Sequence, residues 1–438
     1  MSFRTNLVRA RSHIVFVLAL VCGAALILYL EGVGSMAGER RDPLRPFETV
    51  VPLPVAAGIR PDNPDDEAAR IAWTYFRNNT DPTTGLAGSV DGYPSTTMWE
   101  TASYLVAIIS AERLGIIDRA EATERSGKVV DALSRLVLFE DSLPHKAYDI
   151  RTLQMVDYAN RPTTVGLGWS ALDIARLLSA LKIVQRHHPE LAQPVERLVA
   201  GWDLDRVVRD GWLNGANVVD GAVRQNQEGR VGYERYGAKG MMLWGFDATA
   251  AMDVRPNLQV VEVEGVPILV DTRLNRNKTP ALTTSEPYVF DGLEYGFDSL
   301  THLFATAVYR AQEMRYRRSG VLTGVSEGHL SVEPYFAYAS VWGGGQDWAV
   351  LTFSGDRIDS RRTLSTKAAF GWDALFATEY TSELMKAIRP IADPARGWPE
   401  GIYEQDGAVN GSMTANTNAT VLSAEAFRRF GPLLQAPR

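Results

Sequence analysis

The sequence predicts a mainly α protein, an (α/α)6 toroid of inner and outer helices with small β-hairpin insertions, preceded by one N-terminal transmembrane helix. Two kinds of helical pattern alternate along the chain. The helix expected at 97–115 is apolar on all sides from 104 to 109, whereas 119–139 carries a single apolar stripe. The patterns at 168–185 and 191–208 repeat this alternation. An open solenoid would satisfy it too, although the chain has no fixed repeat period.

An apolar run near the N-terminus predicts a membrane anchor. Residues 14–30 form an unbroken apolar stretch at the short end of what spans a bilayer. Arg4, Arg9 and Arg11 precede it, which predicts a cytoplasmic N-terminus and a periplasmic main domain. We therefore expect a single-pass protein of the inner membrane. The alternative is a cleaved signal peptide that releases the protein into the periplasm.

These features predict the layout of the chain. A cytoplasmic N-terminus at 1–13 precedes the anchor or signal at 14–30. A linker rich in Pro, Gly and charge follows at 31–63, and the toroid domain occupies 64–438. The single cysteine, Cys22, excludes an intrachain disulfide framework and a Cys-based metal site.

Helices and hairpins are predicted through the rest of the toroid domain. Alternating residues at 258–272 surround a central Glu-Gly and predict a hairpin, and 335–353 predicts another. We expect these as β insertions, near 258–292 and 335–354, that decorate one end of the helical body. The remaining helices are predicted at 65–78, 293–318, 365–388 and 415–430.

Charge and histidine content exclude several functions. The net charge of −7 and the lack of any basic block argue against nucleic-acid binding. The six His show no metal-binding spacing, so we expect no metal and no cofactor. Ser326 lies in a G-x-S-x-G motif, but an α/β-hydrolase needs a distant downstream His and only His329 follows. We interpret that motif as accidental.

Glu234 is the first candidate for acid–base chemistry. On a helix it shares one face with Ala238 and Met241, at spacings of four and seven residues. A carboxyl group on an otherwise apolar face has its pKa raised, which suits a general acid near neutral pH. A buried ion pair with an Arg of another helix explains the same pattern, and the sequence leaves both open.

Other carboxylates and aromatic residues lie in loops beside the predicted helices. Loops at one end of a toroid converge on its mouth, where flat rings and carboxylates suit sugars. Capping explains Glu100 equally well, and layer packing explains most of the five Gly-Trp pairs. Trp398 is the exception expected in the cleft, because its surroundings are polar. The candidate substrate-binding residues are Glu100, Trp99, Glu228, Tyr233, Tyr288, Trp398, Glu404 and Asn416.

Several separate segments between 68 and 430 resemble the bacterial DUF3131 family, an uncharacterised periplasmic group. They are GYPSTTMWETASYL, GLGWSALDIARLL, EGRVGYERYGAKGMMLWG, SEPYVFDGLEYG, LTGVSEG, LSTKAAFGWDALF and TANTNATVL. More distantly, GYERYGAKGMMLWG resembles the Tyr-Asn-Glu segment of the glucoamylase-like domain of β-1,2-glucanases and cyclic glucan synthases. Those domains are (α/α)6 toroids. Here Tyr233 replaces the Asn and Arg235 follows the Glu.

The distant resemblance implies glycoside hydrolysis, with Glu234 as the acid. We expect a membrane-anchored periplasmic glycoside hydrolase that uses two carboxylates on a β-glucan or exopolysaccharide, so that its partner is a polysaccharide or oligosaccharide. The candidates for the second carboxylate are Glu327, Glu286 and Glu294. One alternative is a non-catalytic glycan-binding or polysaccharide-assembly factor with the same cleft, and a weaker one is an envelope scaffold.

Overall fold

The computed structural model describes residues 42–58, 66–273 and 281–434. The chain divides into two compact units, 1–48 and 49–438, and the smaller is described only from 42 onward. The predicted cytoplasmic N-terminus and the anchor at 14–30 lie outside the described residues. None of the helices in the described ranges combines the length and apolar character needed to cross a membrane.

The larger unit is mainly helical. Its helices in chain order are α1 (Asp66–Asn79), α2 (Met98–Arg113), α3 (Arg119–Ser134), α4 (Ala171–His187), α5 (Ala192–Ala200), α6 (Tyr233–Met242), α7 (Thr249–Met252), α8 (Glu286–Phe290), α9 (Ser299–Ser319), α10 (Thr366–Phe376), α11 (Glu379–Ile388) and α12 (Ala415–Phe430).

The even-numbered helices α2, α4, α6, α8, α10 and α12 form a closed inner ring. Each packs against the next, and α12 packs against α2. The odd-numbered helices pack outside, α1 against α12 and α3 against α2, for example. The predicted alternation of buried and one-faced helices is therefore confirmed. It arises because an inner helix has neighbours on all sides and an outer helix on one.

Side-chain caps fix where the inner helices begin. Thr97, Ser170, Ser365 and Thr414 each accept a hydrogen bond from a backbone N–H in the first turn of α2, α4, α10 and α12, respectively. The cap satisfies a backbone N–H donor that would otherwise lack a partner in the first turn of the helix. These caps place the starts of four inner helices at defined positions.

The strands form small antiparallel sheets between the helices. The predicted hairpin at 258–272 is confirmed, with its turn at Glu264 and Gly265, both at positive φ. The strands are β1 (Ser95–Thr96), β2 (Tyr148–Asp149), β3 (Val208–Arg209), β4 (Trp212–Val219), β5 (Ala222–Gln227), β6 (Leu258–Val263), β7 (Val266–Asp271), β8 (Leu282–Thr283), β9 (Glu327–His329), β10 (Phe336–Ala339), β11 (Trp342–Gly343), β12 (Gln346–Asp347), β13 (Val350–Leu351), β14 (Thr363–Ser365), β15 (Pro399–Tyr403) and β16 (Val409–Met413).

Several predicted boundaries were wrong. The helix expected at 365–388 is two helices, because Ala377 adopts φ 47° and Thr378 caps a new helix, α11. The β insertion expected at 258–292 ends early, since 286–290 forms the inner helix α8 and Asp291–Tyr295 continues it as a π-helical turn. The β4–β5 hairpin was not predicted.

Part of the predicted linker lies along the helical body. The backbone N–H of Leu53 donates to Thr306 Oγ1 at 3.2 Å, and Ala56 N donates to the carbonyl oxygen of Leu375 at 2.8 Å. Gly58 N donates to the carbonyl oxygen of Arg428 at 3.0 Å. Residues 53–58 are therefore held by α9, α10 and α12.

Candidate active site at the mouth of the helical ring

The first turns of all six inner helices meet at one end of the ring, which we call the mouth. Each first turn places at least one polar or aromatic side chain at this end. The contacts between them link neighbouring helices: Asn416 Nδ2 donates to Glu286 Oε1 at 3.2 Å, and the rings of Trp99 and Tyr233 lie 5.8 Å apart. The six residues are Glu100, Asp173, Tyr233, Glu286, Lys367 and Asn416. Helix N-termini favour carboxylates, so this end suits an acidic site.

Loops and short strands build the wall of the mouth. Glu327 in β9 pairs with Tyr338 in β10, and both side chains are half-buried. His329, two residues along β9, has its pKa lowered to about 4 by burial and by the charge of Lys367, against the opposing charge of Glu100. His329 is therefore a neutral imidazole at neutral pH.

Glu327 is perturbed toward acid function. Burial raises its pKa to about 8, and the negative charge of Glu286 adds to the effect. The charge of Lys367 and the hydroxyl of Tyr233 oppose it. The buried Tyr233 Oη makes no hydrogen bond of good geometry with any described residue, so it faces Glu327 without a tight contact. Glu327 keeps its proton at neutral pH.

Asp173 is a second perturbed carboxyl group at the mouth. Burial and the charges of Glu228 and Glu100 raise its pKa to about 7, whereas the Ser170 hydroxyl, 2.8 Å from Oδ1, lowers it. Asp173 stands three residues before Arg176 on α4, yet Arg176 pairs with Glu294 instead. No sequence argument singled out Asp173 as functional.

Glu286 reaches the site beneath Glu327, as one of the predicted second carboxylates. It is 2 % exposed, and its Oε2 contacts Lys367 Nζ and accepts from Ser326 Oγ at 3.4 Å. Asn416 Nδ2 donates a hydrogen bond to the other carboxylate oxygen of Glu286, Oε1. Both oxygens therefore have protein partners, which leaves Glu286 in a supporting position.

Glu100 and Glu228 are at the mouth, and both also cap helices. The Thr97 hydroxyl accepts from the Glu100 backbone N–H at 3.4 Å and caps α2, as the sequence suggested, and the Glu100 carboxylate contacts that same hydroxyl. Glu228 accepts from Ser170 Oγ and from the backbone N–H of Ala171, both at 2.7 Å. Their charges nevertheless raise the pKa of Asp173, so they shape the site electrostatically.

Trp99 lies half-buried at the floor of the mouth. The guanidinium carbon of Arg176 is 4.7 Å from the centre of its ring, a cation–π contact from below. Arg176 Nη1 also binds Glu294 Oε1 at 3.2 Å, and Tyr236 Oη donates to Glu294 Oε2 at 2.5 Å. Glu294, predicted as a catalytic candidate, is thus held in a buried network inside the ring.

Glu234 does not reach the mouth. Its Oε2 binds Arg273 Nη1 at 2.6 Å, and its Oε1 accepts from Gln227 Nε2 at 2.8 Å. It faces a crevice of about 10 Å³ bordered by Trp212 and Arg235, far too small for a sugar ring. Burial raises the pKa of Glu234 to about 7, although Arg273 opposes the shift. The geometry is that of a buried ion pair, as in the alternative that the sequence left open, but Arg273 follows strand β7 and does not lie on another helix.

Three predicted substrate-binding residues are buried or paired within the protein instead. Trp398 is 2 % exposed, donates from Nε1 to the carbonyl oxygen of Ala68 at 3.0 Å and packs against Phe370, so its expected place in the cleft was wrong. Tyr288 is also 2 % exposed, inside the wall of the ring. Glu404 is held by Arg315 and Arg362, each with an N–O distance of 2.8 Å.

The G-x-S-x-G motif leads into a β-strand rather than a strand-to-helix elbow. Ser326 is buried, and its hydroxyl donates to Glu286 rather than to a histidine. The flanking Glu327 begins β9. Within the described ranges, no group of three His, Cys, Asp or Glu side chains is placed to hold a metal ion.

The fold and site define the class first: a helical toroid with an acidic mouth. The chain belongs to the family described as "Protein of unknown function (DUF3131)", whose model matches residues 67–431. No curated protein matches the sequence.

Solved structures share the fold at low identity. A glucoamylase candidate from Bacteroides caccae has a TM-score of 0.62 at 14% identity, covering 84% of this chain and 93% of its own. An endo-β-1,2-glucanase from Chitinophaga pinensis, solved with sophorotriose and glucose, has a TM-score of 0.59 at 13% identity and covers 84% and 92%. The endo-β-1,2-glucanase from Talaromyces funiculosus with sophorose has a TM-score of 0.56 at 12% identity and covers 85% of each chain.

Proposed function

We propose that the protein is a membrane-anchored periplasmic glycoside hydrolase, built on an (α/α)6 toroid, that cleaves a β-glucan or exopolysaccharide at the mouth. The observation that carries this proposal is the pair Glu327 and Asp173. Both carboxyl groups are half-buried at the mouth, with pKa values raised to about 8 and about 7. Two titratable groups with separated pKa values suit an acid and a base working together.

Glu327 acts as the general acid and Asp173 as the general base. Between the two pKa values Glu327 is protonated and Asp173 is ionised. Glu327 gives its proton to the glycosidic oxygen as the C–O bond breaks, and Asp173 takes a proton from the attacking water. Solvent then exchanges protons with both groups and restores the resting state. Attack by water inverts the anomeric centre, which ¹H NMR of the first product reports.

The acidic mouth favours a neutral glycan. Glu100, Asp173 and Glu228 would repel a uronate, whereas hydroxyl groups can donate to these carboxylates. Tyr158 is 69 % exposed, and partial desolvation together with the charges of Asp173, Glu228 and Glu100 raises its pKa, so its hydroxyl lies near the carboxylates of the mouth. Together with Trp99 it offers flat faces for the C–H side of a pyranose.

Linear β-1,2-glucan is the first substrate to assay, because two of the similar structures are endo-β-1,2-glucanases solved with sophoro-oligosaccharides or sophorose. The basic residues before the apolar run at 14–30 support the anchored, periplasmic location. A fusion of alkaline phosphatase behind residue 63 tests that location in cells.

A glycan panel assayed by released reducing ends tests the activity. The wild type is compared with Glu327→Gln and Asp173→Asn, and Glu234→Gln is the matched control because it changes a buried Glu outside the mouth. We expect product from the wild type and the control, and a loss of about 10² to 10⁴-fold in the other two. Binding without any product would replace the hydrolase with a glycan-binding or assembly factor. Equal product from Glu327→Gln would remove Glu327 from the chemistry.

A further inference from the structure

A group of buried polar side chains lies beneath Glu327, and we call Glu286, Lys367 and Glu400 the buried charge group. They are 2 %, 4 % and 3 % exposed. Lys367 Nζ contacts Glu286 Oε2, and the hydroxyls of Thr414 and Thr417 donate to Glu400 Oε1 at 2.5 Å and 2.7 Å. Such a group costs free energy to bury, and its charges can have a role beyond packing.

The buried charge group is unbalanced, with two carboxylates around one ammonium. Burial lowers the pKa of Lys367, but the charges of Glu286 and Glu400 outweigh it and raise the pKa. Burial raises the pKa of Glu400, and the charge of Lys367 opposes that shift. Removing one member therefore changes the net charge that a neighbouring group experiences.

The strand that carries Glu327 rests directly on this group. On one side of Glu327, the hydroxyl of Ser326 donates to Glu286 Oε2 at 3.4 Å. On the other side, a Cβ at Gly328 would fall 2.5 Å from Glu400 Oε2, so only glycine lets the backbone approach that carboxylate. Glu327 is thus flanked by contacts to both carboxylates of the group.

We infer that Lys367 and Glu286 are positioning residues that act through Glu327: their buried ion pair holds β9 in the wall of the mouth and sets the electrostatic field at the Glu327 carboxyl group. The consequence for catalysis rests on the proposed function, in which Glu327 is the acid. The negative charge of Glu286 raises the pKa of Glu327, and the positive charge of Lys367 lowers it. Neither side chain needs to touch the substrate for this role.

The other charged and titratable groups around Glu327 remain unchanged in the test. They come from every element packed around β9, and they are Tyr233, Asp173, Tyr338, Glu400, His329 and Glu100. A change in the pKa of Glu327 after substitution of Glu286 or Lys367 therefore measures the electrostatic effect of this ion pair on Glu327.

The test is an NMR titration of the full chain with ¹³Cδ-labelled glutamate, in which Glu327→Gln assigns the signal. Glu286→Gln is expected to lower the pKa of Glu327 by about 1, since it removes a negative charge and leaves Lys367. Adding Lys367→Met to Glu286→Gln is expected to bring that pKa back toward the wild-type value. Glu234→Gln is the matched control and leaves it unchanged.

The two variants together separate electrostatics from misfolding. A purely structural role would make the double variant at least as disturbed as the single one. An unchanged or higher pKa in Glu286→Gln, or no recovery in the double variant, overturns the inference. If Glu286→Gln does not fold, Asn416→Asp replaces it, because the new carboxylate adds a negative charge beside Glu286. This variant is expected to raise the pKa of Glu327, and a lower or unchanged pKa overturns the inference. The titration needs no turnover, so a protein that cleaves no glycan still tests it.

Discussion

The pH dependence of hydrolysis follows from the two perturbed carboxyl groups at the mouth. Activity needs Asp173 ionised and Glu327 protonated, and their pKa values are about 7 and about 8. The optimum of kcat/KM is therefore expected midway, at about pH 7.5. Two pH units below that optimum, most Asp173 is protonated and the rate falls roughly twentyfold. Two pH units above it, loss of the Glu327 proton has the same effect.

The assay is a profile of kcat/KM between about pH 5 and pH 10 on the most active glycan of the panel. Glu327→Asp keeps a carboxyl group, so its residual activity reports whether the alkaline limb moves with that residue. Ordinary carboxyl groups titrate near pH 4, so an enzyme that used them would lose its acid form well below neutral pH. An optimum below about pH 6, or an alkaline limb that Glu327→Asp does not move, refutes the assignment.

Four further outcomes are expected. Glu234→Gln breaks the pair with Arg273, so the free energy of unfolding falls by about 1–3 kcal/mol in denaturant titration, with kcat retained. Trp398→Ala empties a buried site and costs about 3–5 kcal/mol by the same measurement. Burial raises the pKa of Glu404, but Arg315 and Arg362 outweigh burial and hold that pKa below the usual value. The ionised Glu404 therefore stabilises the fold above the pKa of the unfolded state, and this contribution is lost as the pH falls. Glu404→Gln is thus expected to lower Tm more at pH 7 than at pH 3. Tyr158→Ala removes a ring from the mouth and is expected to raise KM by about tenfold, whereas Phe430→Ala, an exposed ring at the far end of α12, leaves KM unchanged.

The helical framework could be predicted because its signal is local. A helix that is apolar on every side needs neighbours on every side, so α2 and the striped α3 were assigned to different layers. Boundaries were less accurate where a backbone conformation decided them, as at Ala377. The short helix α8 was missed because five residues carry too little periodicity.

The candidate site could be predicted only in part. Glu327, Glu286, Glu100 and Asn416 were named and do meet at the mouth, whereas Glu234 points to Arg273. A signal for the missed Asp173 was present in the sequence. It stands three residues after the cap Ser170, as Glu100 stands three after Thr97, so both are first-turn acids of inner helices.

The sequence by itself determined the helical class, the two layers and the family, because apolar periodicity and short motifs are properties of neighbouring residues. Only the tertiary structure decided which carboxylates work together. Burial raises the pKa values of both Glu234 and Glu327, and the two residues differ in what the fold places opposite them. Arg273, just after β7, binds the carboxylate of Glu234, whereas Glu327 is partly exposed at the mouth. Such partners lie far away in the chain, so no local pattern specifies them.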